Sequence, residues 1–158
     1  MVYRKRSSKI WNAKPLMASL AVAMGFAALS FSGPAAAADF TVYKSPYCGC
    51  CSNWISQLQA SGHTVVTKDI ENIEGIKNLA GVPEALRACH TASVEGYIVE
   101  GHVPLKQIER LLAERPQARG VAVPGMPGGS LGMEGGDPEP YNVVLFKADG
   151  TETVYARY

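Results

Sequence analysis

Hydrophobic and polar positions alternate in two rhythms along this chain. Residues 40–44, Phe-Thr-Val-Tyr-Lys, are rich in strand formers and end at Ser45-Pro46-Tyr47, since proline cannot continue a central ladder. From Cys51 onward Trp54, Ile55 and Leu58 recur at three- and four-residue intervals, which predicts a helix ending near Gly62. Residues 64–70 predict a second strand. A weaker helical stripe follows through Ile73, Ile76 and Leu79, interrupted by Gly81. Pro83 is placed to open a short helix carrying Leu86 and Cys89. Residues 97–100 predict a strand, and Pro104 opens a helix with Leu105, Ile108, Leu111 and Leu112 on one face, stopped by Pro116.

Residues 124–136 hold six glycines and two prolines, too many breakers for a regular element, and predict a loop. Residues 142–146 and 153–155 flank Asp149-Gly150 and predict a terminal hairpin. The order strand, helix, strand, helices, strand, helix, hairpin suits an α/β sandwich with a mixed sheet.

The first 38 residues stand apart from this pattern. Arg4, Lys5, Arg6, Lys9 and Lys14 precede an apolar run over 16–31, and small residues close it at Pro34-Ala35-Ala36-Ala37-Ala38. That order is a secretory signal peptide over residues 1–38, with cleavage expected near Ala38 and a single domain over 39–158. The run is short for a membrane span, and no later stretch approaches spanning length, so the mature part is expected to carry none. Cleavage leaves ten Lys and Arg against 14 Asp and Glu. No clustered basic face remains for nucleic acid, and that class of partner is excluded.

All four cysteines, Cys48, Cys50, Cys51 and Cys89, lie in the mature part. Three thiols within four residues do not make a stapling framework, because a structural bridge is most useful when it closes a long loop. The crowding points to metal or redox chemistry. Strand, then Tyr47-Cys48-Gly49-Cys50-Cys51, then an amphipathic helix is a thioredoxin-like arrangement, with Cys48 and Cys51 at the ends of a Cys-x-x-C motif. A helix N-terminus favours thiolate over thiol, and a thiolate serves equally as nucleophile or soft-metal ligand. Cys50 complicates clean disulfide exchange but adds a soft donor, and Cys89 supplies a fourth. Neighbours on one helical turn are expected to diverge, which favours bridging thiolates shared among several Cu(I) ions over one tetrahedral zinc. Met126 and Met133 are further soft donors or loop plugs. His90, beside Cys89, and His102 are candidate secondary ligands or proton partners, and His63 reads as a solvated turn residue.

Four ordered motifs carry a family resemblance: Tyr47-Cys48-Gly49-Cys50-Cys51, Cys89-His90-Thr91, Val99-Glu100-Gly101-His102-Val103-Pro104, and Val123-Pro124-Gly125-Met126-Pro127-Gly128-Gly129-Ser130. Together they resemble the CopG-like family of periplasmic copper-resistance proteins. The resemblance implies a thioredoxin-like fold and a thiolate-bridged copper cluster held by Cys48, Cys50, Cys51 and Cys89. It also implies periplasmic copper handling, with copper ions and other periplasmic copper-handling proteins as partners. Leu131 stands where the family loop commonly has a proline. Two other functions remain open on the residues: a periplasmic thiol-disulfide oxidoreductase with Cys48 attacking and Cys51 resolving, and a structural zinc module.

Overall fold

The computed structural model describes residues 37–158. The export segment read from residues 1–38 lies outside them, apart from Ala37 and Ala38. Seven strands form one mixed sheet in the order β2-β1-β3-β4-β5-β6-β7. Their spans are β1 Asp39–Lys44, β2 Thr64–Asp69, β3 His90–Val94, β4 Tyr97–Glu100, β5 Gly120–Ala122, β6 Asn142–Phe146 and β7 Glu152–Arg157. The helices are α1 Gly49–Ala60, α2 Glu74–Ala80 and α3 Leu105–Glu114, with a 3-10 turn at Glu84–Leu86. β1 runs parallel to β2 and β4 parallel to β5, and the remaining pairings are antiparallel. The mixed α/β class and the C-terminal hairpin are those the sequence predicts.

Side chains alternate across the strands, so the sheet carries apolar residues on both faces. One face packs Phe40, Val42, Val99 and Val121 against Trp54, Ile55 and Leu58 of α1 and Ile108 and Leu111 of α3. The other gathers Ile98, Ala122 and Phe146 with Ala80, Val82 and Leu86. Each fully buried large side chain contributes roughly 1.5–3 kcal/mol. Trp54 also donates from Nε1 to the Val103 carbonyl at 3.0 Å, tying α1 to the segment before α3.

Several sequence expectations need correction. β3 and β5 were not predicted. β3 turns into β4 through Glu95 and Gly96, with φ of 45° and 88°, the two left-handed residues a tight hairpin requires. Glutamate is an uncommon first residue there, so the pattern gives little warning. The stripe Ile73, Ile76, Leu79 is not the buried face of α2: Leu79 is exposed, and the helix buries Lys77 and Ala80. The short helix expected to carry Cys89 stops at Leu86, because Arg87 turns to extended backbone; Cys89 sits just before β3. His63 is buried rather than solvated. Its ring packs on Phe40 and its Nδ1 accepts from the Ala38 N–H at 3.2 Å.

Candidate metal centre

Four segments meet at the start of α1. The first is the helix's own entry: Cys48 is its N-cap residue, Gly49 and Cys50 follow, and Cys51 is buried in the first turn. β1 delivers this turn at the end of the sheet, and the free N–H groups of the helix start favour negative charge on sulfur. Cys48 and Cys51 are joined by a disulfide with Cα atoms 5.4 Å apart, while Cys50 and Cys89 are free thiols. Cys50 Sγ lies 3.5 Å from Cys48 Sγ.

The second segment is the run into β3. It brings Cys89, whose Sγ stands 2.9 Å from His102 Nε2 and 3.5 Å from His90 Nδ1. His90 is fully buried, its ring 4.4 Å from Trp54 and edge-on to His102 at 5.1 Å. The third segment, between β4 and α3, carries His102, and the fourth is the glycine-rich loop, which contributes the Leu131 carbonyl, 2.7 Å from His102 Nδ1. A carbonyl only accepts, so Nδ1 carries the ring proton and Nε2 turns its lone pair toward Cys89. That is how a ligating imidazole is commonly held, one nitrogen anchored and the other free for metal.

Ligand atoms of Cys48, Cys50, Cys51 and Cys89 all lie within 4.8 Å of one another, and so do those of Cys51, Cys89, His90 and His102. The expectation that Cys50 and Cys51 point apart therefore fails. Cys48 is the extended N-cap rather than a helical residue, and its sulfur is bonded to Cys51 and lies 3.5 Å from that of Cys50, so the three sulfurs gather at the helix start. Each quartet matches one ion's donor count, and they share Cys51 and Cys89. Together the two groups offer six soft or borderline donors.

The electrostatics keep Cys89, His90 and His102 neutral. Burial, reinforced by Cys50 nearby, pushes the Cys89 thiol up to about 12. Burial lowers His90 well below the usual imidazole range, with His102 and Lys77 adding to the effect. His102 is also lowered by burial, against the pull of the Leu131 carbonyl and Glu134. Neutral imidazoles have a lone pair to give, and a thiol gives up its proton when a metal binds.

The methionines divide. Met126 is exposed and does not plug the loop onto the core. Met133 is half-buried and follows Gly132, whose Cα faces the Cys50 carbonyl and the Trp54 amide. Glu134 fastens this stretch by accepting from Gln57 of α1 and from the Gly132 N–H. Leu131 packs its side chain against the core.

Sequence reasoning missed the layer behind the centre. Lys77 Nζ lies 2.5 Å from Glu100 Oε1 and 3.1 Å from Thr91 Oγ1, all three side chains buried. Burial raises the Glu100 carboxyl, while Lys77, Thr91 and the Ala88 amide pull it down. A charged residue at the end of the apolar strand Tyr97–Glu100 was the available signal.

Fold and site together define a mixed α/β protein with a cysteine and histidine cluster, able to offer metal ligands, at the N-terminus of its first helix. Two solved structures are similar to it, described as "Copper resistance protein copG- Form 2" and "Copper resistance protein copG- Form 1". Each is 40% identical and covers 78% of this chain; the shares of their own lengths are 99% and 98%, and the TM-scores 0.74 and 0.73. The chain belongs to this CopG copper-resistance family. A family model described as "Protein of unknown function, DUF411" matches residues 86–133, which contain Cys89, His90, Glu100, His102 and both loop methionines. No curated protein matches the chain.

Proposed function

We infer that this is a periplasmic copper-resistance protein that holds copper as Cu(I) in a thiolate-bridged centre built on Cys48, Cys50, Cys51 and Cys89. The observation that carries the reading is the pair of overlapping donor quartets joined through Cys51 and Cys89. A structural zinc ion uses one quartet and leaves the other donors idle, whereas Cu(I) tolerates low-coordinate, shared sulfur. The copper-resistance relatives and the softness of the donors favour copper. His90 and His102 complete the buried side of the centre, and Met133 is placed on the loop that covers it. The arrangement β1-α1-β2-α2-β3-β4-α3 supports the thioredoxin-like reading of the first half.

The disulfide between Cys48 and Cys51 takes up two of the six donors. Two-electron reduction frees both, so copper loading depends on thiol state. Anaerobic Cu(I) titration of the reduced chain against a tight chelator is expected to give more than one tightly held ion. The oxidised chain should hold fewer, and the chain with all four cysteines changed to serine almost none. A single weak ion, indifferent to those changes, would sink the reading.

The same disulfide supports a second reading, thiol-disulfide exchange. The Cys48 thiolate would attack a partner disulfide, and Cys51 would resolve the mixed disulfide, leaving the bond seen here and a reduced partner. Cys89→Ser separates the two: Cys89 is neither the attacking nor the resolving thiol of that exchange but is central to the copper centre.

A further inference from the structure

Resting on the copper reading of the centre, we propose that Glu100, held by Lys77 and Thr91, is the positioning residue that sets where Cys89 and His90 stand against the first turn of α1. Glu100 ends β4, and its main chain is fixed on both sides: opposite Thr91 in β3, and by its carbonyl to the Val123 N–H at 3.0 Å. From this fixed point the carboxylate reaches the turn that carries the ligands. Oε1 accepts from the Ala88 N–H at 2.7 Å and from Lys77 Nζ at 2.5 Å; Oε2 accepts from the Thr91 hydroxyl at 2.6 Å. Cys89 and His90 lie between Ala88 and Thr91, so the two oxygens of one carboxylate clamp both ends of the ligand-bearing pair.

The same residue leads through Gly101 to His102, and the Gly101 N–H bonds back to the His90 carbonyl at 3.0 Å. All three centre-forming residues of this side are thereby referred to Glu100. Lys77 is the counter-ion that lets a carboxylate stay charged with no solvent access. Exchange of a buried ion pair for apolar side chains is often neutral or favourable for folding. Stability alone therefore gives no account of this pair. Fixing a main-chain N–H and a hydroxyl on either side of two ligands does.

The test compares three chains, each with and without Cys89→Ser. One is the parent. The second carries Glu100→Leu with Lys77→Met, which removes the clamp and leaves no lone charge. The third carries Glu100→Gln with Lys77→Met, whose carboxamide oxygen still accepts from the Ala88 N–H. Cu(I) affinity is read by chelator competition. Placement of Cys89 is read without metal, as its alkylation rate by iodoacetamide in reduced chains whose other three cysteines are serine.

The apolar pair is expected to melt cooperatively, to bind copper about tenfold more weakly or worse, and to lose almost nothing more when Cys89→Ser is added. Its Cys89 should alkylate several-fold faster, and the carboxamide chain should return toward the parent in both readouts. A folded apolar pair with parental affinity, parental alkylation and the full cost of Cys89→Ser overturns the proposal. Should that pair not fold, Thr91→Val, which keeps the ion pair, must still speed alkylation, and an unchanged rate overturns the proposal equally. Parent copper binding that ignores Cys89→Ser counts against the copper reading itself, while the metal-free rate still decides the role of Glu100.

Discussion

A thiol becomes a metal ligand only when its proton leaves, and Cys89 holds its proton tightly. Burial disfavours the anion and outweighs the favourable charge of Lys77; the sulfur's near neighbours are two neutral imidazoles and the other three cysteine sulfurs. With the thiol raised from 9.0 to about 12, the fold prefers its neutral form. Below pH 9 folded and unfolded chains both keep that proton and the preference costs nothing. As pH climbs from 9 toward 12 only the unfolded chain ionises there, and that contribution to stability is lost. In the metal-free chain with the Cys48–Cys51 bond intact, alkylation of Cys89 is therefore expected to be slow at pH 8 and to keep accelerating beyond pH 10, later than a free cysteine. A rate that levels off near pH 9 would show that burial does not govern this thiol.

At the scale of elements, the glycine-rich loop is the lid of the centre, and one residue decides how closely it sits. Gly132 has φ of 87°, and a Cβ there would come within 2.9 Å of the Cys50 carbonyl and the Trp54 amide. Both obstacles are main chain and cannot swing aside. Gly132→Ala is expected to destabilise the fold by about 1–3 kcal/mol and to lift Leu131 from His102, seen as a lower denaturant midpoint and a shifted His102 ring resonance. The helices show what pattern reading can and cannot recover. α1 and α3 follow their apolar spacing because both pack on one continuous sheet face. α2 does not, because an ion pair with Glu100 draws Lys77 inward and turns Leu79 to solvent. No periodicity rule anticipates a buried lysine whose partner lies 23 residues away.

For the whole molecule, the export reading and the fold meet at Ala38. Its carbonyl accepts from the Thr64 N–H at 3.0 Å and its own N–H reaches His63, so the domain uses Ala38 even though the signal reading runs to it. Expressed with its leader in a bacterium, the chain is expected in the periplasmic fraction at a mass that has lost the first 36 or 37 residues; a full-length mass in the membrane fraction would refute export with cleavage. Among the described residues no helix is long and apolar enough to cross a membrane. By itself the sequence determined the mixed α/β class, the placement of Cys48, Cys50 and Cys51 at a helix start, the terminal hairpin and the irregular loop. Each of these rests on interactions between near neighbours: periodicity, proline and glycine geometry, and the spacing of thiols. Only the tertiary structure decided that the three sulfurs of the first turn converge, that Cys89 arrives from an extended segment rather than a helix, and that His90, His102 and Leu131 close the centre behind it. It also decided that Glu100 and Lys77 are buried together. These depend on strand register and on packing between residues dozens of positions apart, where burial makes hydrogen-bond partners obligatory and a linear pattern carries no record of who they are.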